Sequence, residues 1–270
     1  MAARPITFLS DYGLADEFVG VVHGVIAAIC PEARVIDLGH GVPRQDVQAG
    51  ALMLARALPY VSAGVHLAVV DPEVGARRRA VALRTVEDGR LLVGPDNGLL
   101  TPAAERFGGV AEAVEISASP WRLEPVSATF HGRDVFAPVA ARLAGGAPLA
   151  SGGEPLDPSE LVTLERTRPR HEQDALVAHV VGTDTFGNAV LDATHGDLRE
   201  RGLKLGDAVV ARTAMRRLRG VVGRTFSDVA AGALIVYEDA GGALAVAING
   251  GDAAALLGVR PGDEVRLEAA

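Results

Sequence analysis

The chain is organised around the segment His66-Leu-Ala-Val-Val-Asp71-Pro-Glu-Val-Gly-Ala-Arg77-Arg78-Arg79. An apolar run over 67–70 is typical of a buried strand, and it ends at Asp71 because the following proline cannot donate a hydrogen bond to a sheet. Gly75 allows the backbone to turn, and three arginines follow within eight residues of the aspartate. Open α/β sheets bind ligands at the carboxyl ends of their strands. The segment therefore predicts a site at Asp71, although an ordinary turn with solvated arginines fits it equally well.

Strands and helices alternate on both sides of this segment. Residues 6–10 form a short apolar run that predicts a strand, and Phe18, Val21 and Val25 continue with the three- and four-residue spacing of an apolar helix stripe. Such alternation indicates crossover connections and a mainly parallel sheet. The other predicted strands are 34–38, 67–70, 80–83, 91–93 and 114–116, and the other predicted helices are 46–58, 101–107 and a helix that follows 130–134 and runs to 143.

The pattern changes after residue 144. Residues 145–158 are rich in Gly, Pro and Ser, as in a surface connection, and a charged stretch follows at 165–174. Short β-type runs then alternate with Gly-Asp and Pro-Gly-Asp turns, and only 252–257 looks helical. We predict an N-terminal α/β domain with a mainly parallel sheet over 1–170, and a small C-terminal β-barrel domain over 171–270. The predicted strands of the second domain are 175–181, 208–212, 234–237, 244–248 and 264–267.

Composition limits the classes of function. The net charge is −8, which argues against nucleic acid as a partner, because phosphate binding needs a basic face. Cys30 is the single cysteine, so an internal disulfide and a cysteine metal cluster are excluded. The N-terminus lacks the apolar core of a signal peptide, and no apolar run approaches the roughly 20 residues that span a bilayer. We predict a cytoplasmic protein with no membrane or nucleic-acid partner.

Polar side chains follow several of the apolar runs. A carboxylate and a histidine together can orient and deprotonate water, and an arginine beside them can stabilise negative charge. Residues 184–188 place a carboxylate, an aromatic ring and an amide within five positions, which suits a flat heterocycle with polar edges. The polar side chains are Asp11, Asp16, Asp71, Arg78 and His131 in the first domain, and Asp184, Asn188, Ser227, Asp228 and Asn249 in the second.

Each of these residues also has a structural interpretation. Asp11 could cap the first helix. Phe186 and Phe226 are residue types found more often in a core than on a stacking surface, and His131 could be a structural histidine. No Walker loop, G-x-G-x-x-G or G-x-S-x-G motif is present. Taken singly, none of these elements assigns a function.

Taken together, seven motifs resemble those of the S-adenosylmethionine (SAM) hydrolases, also called SAM hydroxide adenosyltransferases. These enzymes are related to the bacterial fluorinases and chlorinases. The resemblance runs from about Ile6 to Leu267, nearly the whole chain. The motifs are Ser10-Asp-Tyr-Gly13, Ile36-Asp-Leu-Gly-His40, Val70-Asp-Pro-Glu-Val-Gly75 with Arg78, Gly94-Pro-Asp-Asn-Gly-Leu-Leu100, Thr129-Phe-His-Gly-Arg-Asp134, Asp184-Thr-Phe-Gly-Asn188 and Ala247-Ile-Asn249.

The resemblance implies hydrolysis of SAM to adenosine and L-methionine, with no metal and no cofactor. It implies a homotrimer in which the N-terminal domain of one subunit and the C-terminal domain of the next share the active site. The catalytic set would be Asp71, Arg78 and His131. Asp11 would hold the ribose hydroxyls, and Asp16 would lie near the methionine amine. The remaining implied substrate contacts are Thr129, Asp184, Phe186, Asn188, Phe226, Ser227 and Asn249.

The same resemblance separates hydrolase from halogenase. Fluorinases and chlorinases carry a tyrosine where this chain has Asp71, and fluorinases carry a serine where it has Gly132. Fluorinases also have an extra loop where residues 85–90 are short. A carboxylate beside the nucleophile repels halide and can accept a proton from water. The sequence therefore favours the hydrolase over two alternatives, a halide-dependent SAM halogenase and a SAM- or adenosine-binding module with little turnover.

Overall fold

The computed structural model describes residues 3–165 and 167–270. The chain forms two compact units, Met1–Leu164 and Glu165–Ala270, which divide a few residues before the predicted boundary. Each unit has its own hydrophobic core. Among the described residues, no helix combines the length and the apolar character needed to cross a bilayer.

The first unit is built on a mixed sheet, with seven strands within its described residues in the order β2-β1-β3-β5-β4-β6-β7. The strands are β1 (Ile6–Ser10), β2 (Val35–Gly39), β3 (Val65–Val69), β4 (Ala80–Thr85), β5 (Leu91–Pro95), β6 (Val110–Glu115) and β7 (Glu154–Leu156). The helices are α1 (Phe18–Ile29), α2 (Val47–Ala57), α3 (Thr101–Glu105) and α4 (Ala137–Ala144).

The sheet is parallel in one half and antiparallel in the other. β2, β1, β3 and β5 pair in parallel, whereas β4 pairs antiparallel with both β5 and β6. The prediction of a mainly parallel sheet therefore holds for the first half only. The reason is that residues 86–90 are too short for a crossover helix, so β4 and β5 can only form a hairpin.

Helices cover both faces of this sheet. Alternate residues of β1 divide between two cores, with Phe8 in the core under α1 and α4, and Leu9 in the core under α2 and α3. Both side chains are almost completely buried. Strands buried on both faces explain why the first unit reads as continuous apolar runs rather than alternating ones.

The second unit is a closed β-barrel, as predicted, formed within its described residues by seven strands and flanked by β8. The ring closes where β10 pairs with β9, and both strands are antiparallel there. The strands are β8 (Arg170–His171), β9 (Ala175–Thr183), β10 (Ala189–Leu191), β11 (Ala208–Arg212), β12 (Arg217–Val222), β13 (Leu234–Glu238), β14 (Leu244–Ile248) and β15 (Glu264–Ala269), and the helices are α5 (His195–Glu200) and α6 (Ala253–Leu257).

The prediction of a single helix in the second unit is wrong, because α5 is also present. Thr194 and Asp197 form a reciprocal capping box at its start, with the Thr194 hydroxyl donating to the Asp197 carboxylate over 2.6 Å. The capping box stabilises this short helix. The helix was missed because six residues are too few for an apolar periodicity to be recognised in the sequence.

Candidate active site

The carboxyl edge of the parallel half of the sheet gathers the candidate residues of the first unit. Ser10 at the end of β1 lies opposite Val69 at the end of β3, and each strand is followed closely by an aspartate, Asp11 and Asp71. This is the edge at which α/β sheets bind ligands. The structure thus places the two carboxylates on neighbouring loops.

Arg78 joins the other two members of the predicted catalytic set. Its guanidinium donates to both carboxylate oxygens of Asp71, with Nε lying 2.9 Å from Oδ1. The same guanidinium lies 3.0 Å from Nδ1 of His131. The side chains of Asp71 and Arg78 are only 5% and 3% exposed, so the pair is shielded from water. Two segments of the chain, with Arg78 and His131 53 positions apart, therefore contribute to one hydrogen-bonded set.

Backbone packing holds the two loops of this set together. Gly75 has a φ of +77°, and a Cβ there would lie 2.2 Å from the carbonyl oxygen of Ala128, so only glycine lets the 71–78 loop approach the chain before His131. On the other side, the Asn97 amide donates to the Val70 carbonyl over 2.9 Å, which fixes the chain just before Asp71. The turn that follows β5 and contains Asn97 therefore helps to support the site.

The electrostatics of His131 favour its neutral form. Burial, followed by the nearby Arg78 guanidinium, lowers the pKa of His131. A guanidinium can only donate hydrogen bonds, so Nδ1 of His131 is an acceptor and the ring proton resides on Nε2. His131 thus presents a donor, not a free lone pair, on its far side.

Tyr12 also belongs to this site, although it was not among the predicted site residues. Burial, followed by the charges of Asp11 and Asp71, raises the pKa of its hydroxyl above the ordinary value of 10.0, so the phenol is neutral. A Cβ built on Gly132 would lie 2.1 Å from Oη of Tyr12. The tyrosine hydroxyl therefore fills the space that a side chain at position 132 would need. The only sequence signal is the placing of tyrosine directly after Asp11.

The other candidate residues of the first unit make fewer hydrogen bonds within the protein. The carboxylate of Asp11 accepts the Gln45 N–H over 2.9 Å, and α1 begins after Glu17, so Asp11 does not cap that helix. Asp16 is exposed in the loop before α1. Thr129 is exposed before His131, and its N–H donates to Ser127 Oγ over 3.2 Å. These side chains leave atoms available to a ligand.

In the second unit, residues 184–188 form a closed loop. The Asp184 carboxylate accepts the N–H of Phe186 over 2.9 Å, the N–H of Asn188 over 3.0 Å and the Asn188 side-chain amide over 2.7 Å. Phe186 at its tip is 77% exposed. This ring is not part of a core in the described chain, so it has the exposure that a stacking surface requires.

Strand pairing brings the remaining candidates to the same end of the barrel. β14 pairs with both β10 and β13, so the end of β14 lies beside the start of each neighbour. The Asn249 side chain donates to the Val229 carbonyl over 2.9 Å, next to the turn that holds Phe226 and Ser227. Phe226 packs on Tyr237 and is 38% exposed. This end of the barrel therefore carries two exposed aromatic rings, Phe186 and Phe226, and the side-chain amides of Asn188 and Asn249.

A carboxylate, a guanidinium and a neutral imidazole at the carboxyl edge of an α/β sheet form a site typical of enzymes that activate water. Comparison of the sequence with known families assigns the chain to one family. Residues 6–153 match the SAM hydroxide adenosyltransferase N-terminal domain, and residues 178–266 match the C-terminal domain of the same family. The chain belongs to the SAM hydroxide adenosyltransferase family, which confirms the predicted resemblance.

Individual relatives agree with this assignment. A Salinispora tropica protein named (R)-S-adenosyl-L-methionine hydrolase is 53% identical over 270 residues, covering 100% of both chains. A fluorinase from Nocardia brasiliensis is 29% identical over 294 residues, covering 98% of this chain and 97% of its own. The crystal structure of an uncharacterized conserved protein from Thermotoga maritima shares the fold with a TM-score of 0.90 and 38% identity, over 97% of this chain and 99% of that one.

Proposed function

We propose that the protein hydrolyses S-adenosyl-L-methionine to adenosine and L-methionine by attack of water at the ribose C5′. The observation that carries the proposal is the hydrogen-bonded Asp71–Arg78–His131 set, in which a carboxylate, a guanidinium and an imidazole meet in a member of this family. The hydrolase name of the Salinispora relative, at 53% identity, supports the same reaction.

The chemistry requires little beyond an activated and positioned nucleophile. The oxygen attacks C5′ as the C5′–S bond breaks, and the leaving group is methionine, a neutral thioether, so no general acid is needed. A cationic sulfonium and a hydroxide give neutral products, which a site shielded from water favours. Holding C5′ at near-attack distance from the oxygen supplies much of the remaining acceleration.

The geometry supports a division of roles within the set. We assign proton acceptance to Asp71, because each of its oxygens keeps a lone pair after binding Arg78. We assign orientation of the water to the Nε2–H of His131, since its Nδ1 is engaged by the guanidinium. Arg78 would stabilise the developing hydroxide. Asp11 and Asp16 would hold the ribose hydroxyls and the methionine amine, with Thr129 as a further contact.

The relatives' name suggests the stereochemistry of the substrate. The Salinispora relative is named for the (R) epimer at sulfur. We propose the same preference here, because an in-line attack fixes the direction of the C5′–S bond and therefore where the methyl and methionine arms must fit.

Product analysis tests the reaction directly. Purified protein is incubated with each SAM epimer in oxygen-18 water and chloride buffer. We expect adenosine labelled at the 5′ oxygen, unlabelled methionine and faster consumption of the (R) epimer. Label in methionine, or 5′-chloro-adenosine as the main product, contradicts the hydrolase. Tight binding with unchanged SAM would indicate a binding module.

We further propose a cytoplasmic homotrimer, in which the barrel of one subunit supplies Asp184, Phe186, Asn188, Phe226, Ser227 and Asn249 to the catalytic set of the next. The exposure of two aromatic rings at the same end of the barrel, Phe186 at 77% and Phe226 at 38%, supports this proposal, because grouped exposed apolar side chains are typical of a binding surface. The single, buried Cys30 suits a reducing compartment.

Complementation tests the shared site. Asp71→Ala should be nearly inactive, and Phe186→Ala should lose activity at low SAM concentration through its lost stacking surface. Mixing the two proteins with subunit exchange should restore activity, because some mixed interfaces carry neither change. Phe186 is exposed, so its variant should fold normally. Failure to recover activity after proven exchange would place the whole site within one chain.

A further inference from the structure

A second group of polar side chains lies in the first unit, apart from the catalytic set. His23 on α1, Asp37 on β2 and His40 just after β2 each offer one atom, and these atoms all lie within 4.8 Å of one another. His23 Nε2 is 2.8 Å from Asp37 Oδ1, and His40 Nε2 is 3.1 Å from the same oxygen. Two imidazoles therefore converge on one carboxylate.

His40 is the buried member of the group. Its side chain is 3% exposed, and Nε2 has no aligned hydrogen-bond partner among the described residues despite its closeness to Asp37. Leaving such an atom unpaired inside a protein costs free energy, so it calls for a specific explanation.

Ser10 orients the ring of His40. Ser10 Oγ lies 2.8 Å from His40 Nδ1 and also accepts the Tyr12 N–H over 3.3 Å. If Nδ1 donates to Ser10, the lone pair on Nε2 is free and points toward the group. A ring nitrogen held by a second hydrogen bond in this way is the usual arrangement of a metal-binding histidine.

The dimensions suit a small divalent ion. Ligand atoms at about 2.0–2.1 Å from a tetrahedral Zn²⁺ lie about 3.3 Å apart, which is within the 4.8 Å that bounds the three spacings here. Asp37 Oδ1, at 2.8 and 3.1 Å from the two imidazoles, would move away from them by about 0.2–0.5 Å to admit the ion. We propose that His23, Asp37 and His40 bind one Zn²⁺-like ion, with water as the fourth ligand. His23 and Asp37 are 36% and 42% exposed, which gives the ion a path from solvent.

The ion would stiffen the loop of the proposed ribose-binding residue. His40 contacts that loop twice, through Ser10 and through its carbonyl, which accepts the Gly13 N–H over 2.7 Å. Asp11 lies between these two anchors. A metal ion on His40 would restrict both, so the site would act by positioning and would not enter the reaction.

Metal binding to the full chain tests the proposal. The protein is stripped with a chelator, then titrated with Zn²⁺ by calorimetry and with Co²⁺ by visible absorption. We expect one ion per chain and the spectrum of four-coordinate Co²⁺. His23→Ala and Asp37→Asn should each lower the affinity at least tenfold, and Ser10→Ala about 10- to 100-fold through the lost orienting bond.

His171→Ala provides a matched control. His171 is 32% exposed and lies near two carboxylates, 3.5 Å from Asp197 and 3.6 Å from Glu200, but in the second unit. Its variant should bind Zn²⁺ as the natural chain does. Zn²⁺ should raise the melting temperature of the natural chain but not that of His23→Ala. No binding at micromolar Zn²⁺, or equal affinity in His23→Ala, overturns the proposal and leaves a hydrogen-bonded cluster.

Discussion

The contact between Tyr12 and Gly132 predicts the outcome of adding a single methyl group. In Gly132→Ala, the new Cβ would lie 2.1 Å from the Tyr12 hydroxyl oxygen, whereas real Cβ contacts essentially never fall below 3.0 Å. The tyrosine ring or the helical turn Gly132–Phe136 must therefore move by about 0.9 Å. Gly132 has no positive φ, so lack of space is the reason that position 132 requires glycine.

The expected cost follows from packing. Overfilling a packed site typically costs about 1–3 kcal/mol, and the better helix propensity of alanine returns up to about 1 kcal/mol. We expect Gly132→Ala to destabilise the first unit by about 1–2 kcal/mol. In a unit of this size, each kcal/mol corresponds to a fall of about 2–4 °C in melting temperature.

Removing the hydroxyl should remove this cost. In a Tyr12→Phe background the nearest atom to the new Cβ is the ring carbon Cζ, 3.1 Å away, which requires a shift of only a few tenths of an ångström. Thermal and urea unfolding of the natural chain, both single variants and the double variant form a double-mutant cycle. We expect Gly132→Ala to be nearly neutral when position 12 is phenylalanine.

Equal destabilisation by Gly132→Ala in both backgrounds would refute this reasoning, because the tyrosine hydroxyl would then not be the obstacle. Tyr12→Phe alone is the control for loss of the hydroxyl. The result also bears on the serine that the fluorinases carry at this position. If removal of the Tyr12 hydroxyl relieves the cost of Gly132→Ala, then a serine at position 132, which also has a Cβ, requires a second substitution at Tyr12.

Three further predictions concern the histidines and the catalytic set. The variants Asp71→Asn, Arg78→Ala and His131→Ala should each lower the single-turnover rate about 10²- to 10⁴-fold with little loss of SAM affinity, since the proposed partner of these side chains is water. Near-normal rates together with a weaker SAM affinity, measured by calorimetry, would make them substrate-binding groups instead. Because burial and Arg78 lower the pKa of His131, the kcat–pH profile should lose activity only below pH 6.5, its ordinary value, and an acid limb well above 6.5 would contradict this. Burial lowers the pKa of His66 to about 3, so as pH falls the unfolded chain binds a proton on this residue before the folded chain does. The free energy of unfolding should therefore fall by roughly 4–5 kcal/mol between pH 6.5 and 3. If the free energy of unfolding of His66→Gln depended on pH in the same way, His66 would not be the cause.

The sequence predicted well those features that depend on local pattern. β1, β11 and β14 have the bounds that their apolar runs indicated, and α1 begins at Phe18, where its apolar stripe begins. Turn residues such as Pro72 and Gly75 mark the end of a strand within a few positions, so no tertiary contact was needed to locate it. The set of Asp71, Arg78 and His131 is a different case, because the family resemblance implied it and no local pattern did; hydrogen bonds join its members.

Features that depend on contacts between distant residues could not be predicted from local sequence pattern. Tyr12 and Gly132 are 120 positions apart, and nothing local to either indicates that one occupies the space of the other. The closing strand β10 has three residues, too few for a periodic signal. β12 was missed because alternating arginines at 217 and 219 give it a polar outer face and a weak apolar run.

The hydrogen bonds within residues 184–188 have a consequence for the kinetics of recognition. The Asp184 carboxylate fixes the backbone of this loop before any ligand arrives. The entropy lost in ordering the backbone that carries Phe186 is therefore lost on folding and not on binding. Stacking of a base on such a ring, about 1–3 kcal/mol in other proteins, would then appear almost undiminished in the affinity. Loosening the loop would leave every contact available yet lengthen the search for the bound geometry. If the proposed stacking on Phe186 holds, preorganisation of this loop would govern how fast the adenine ring is captured.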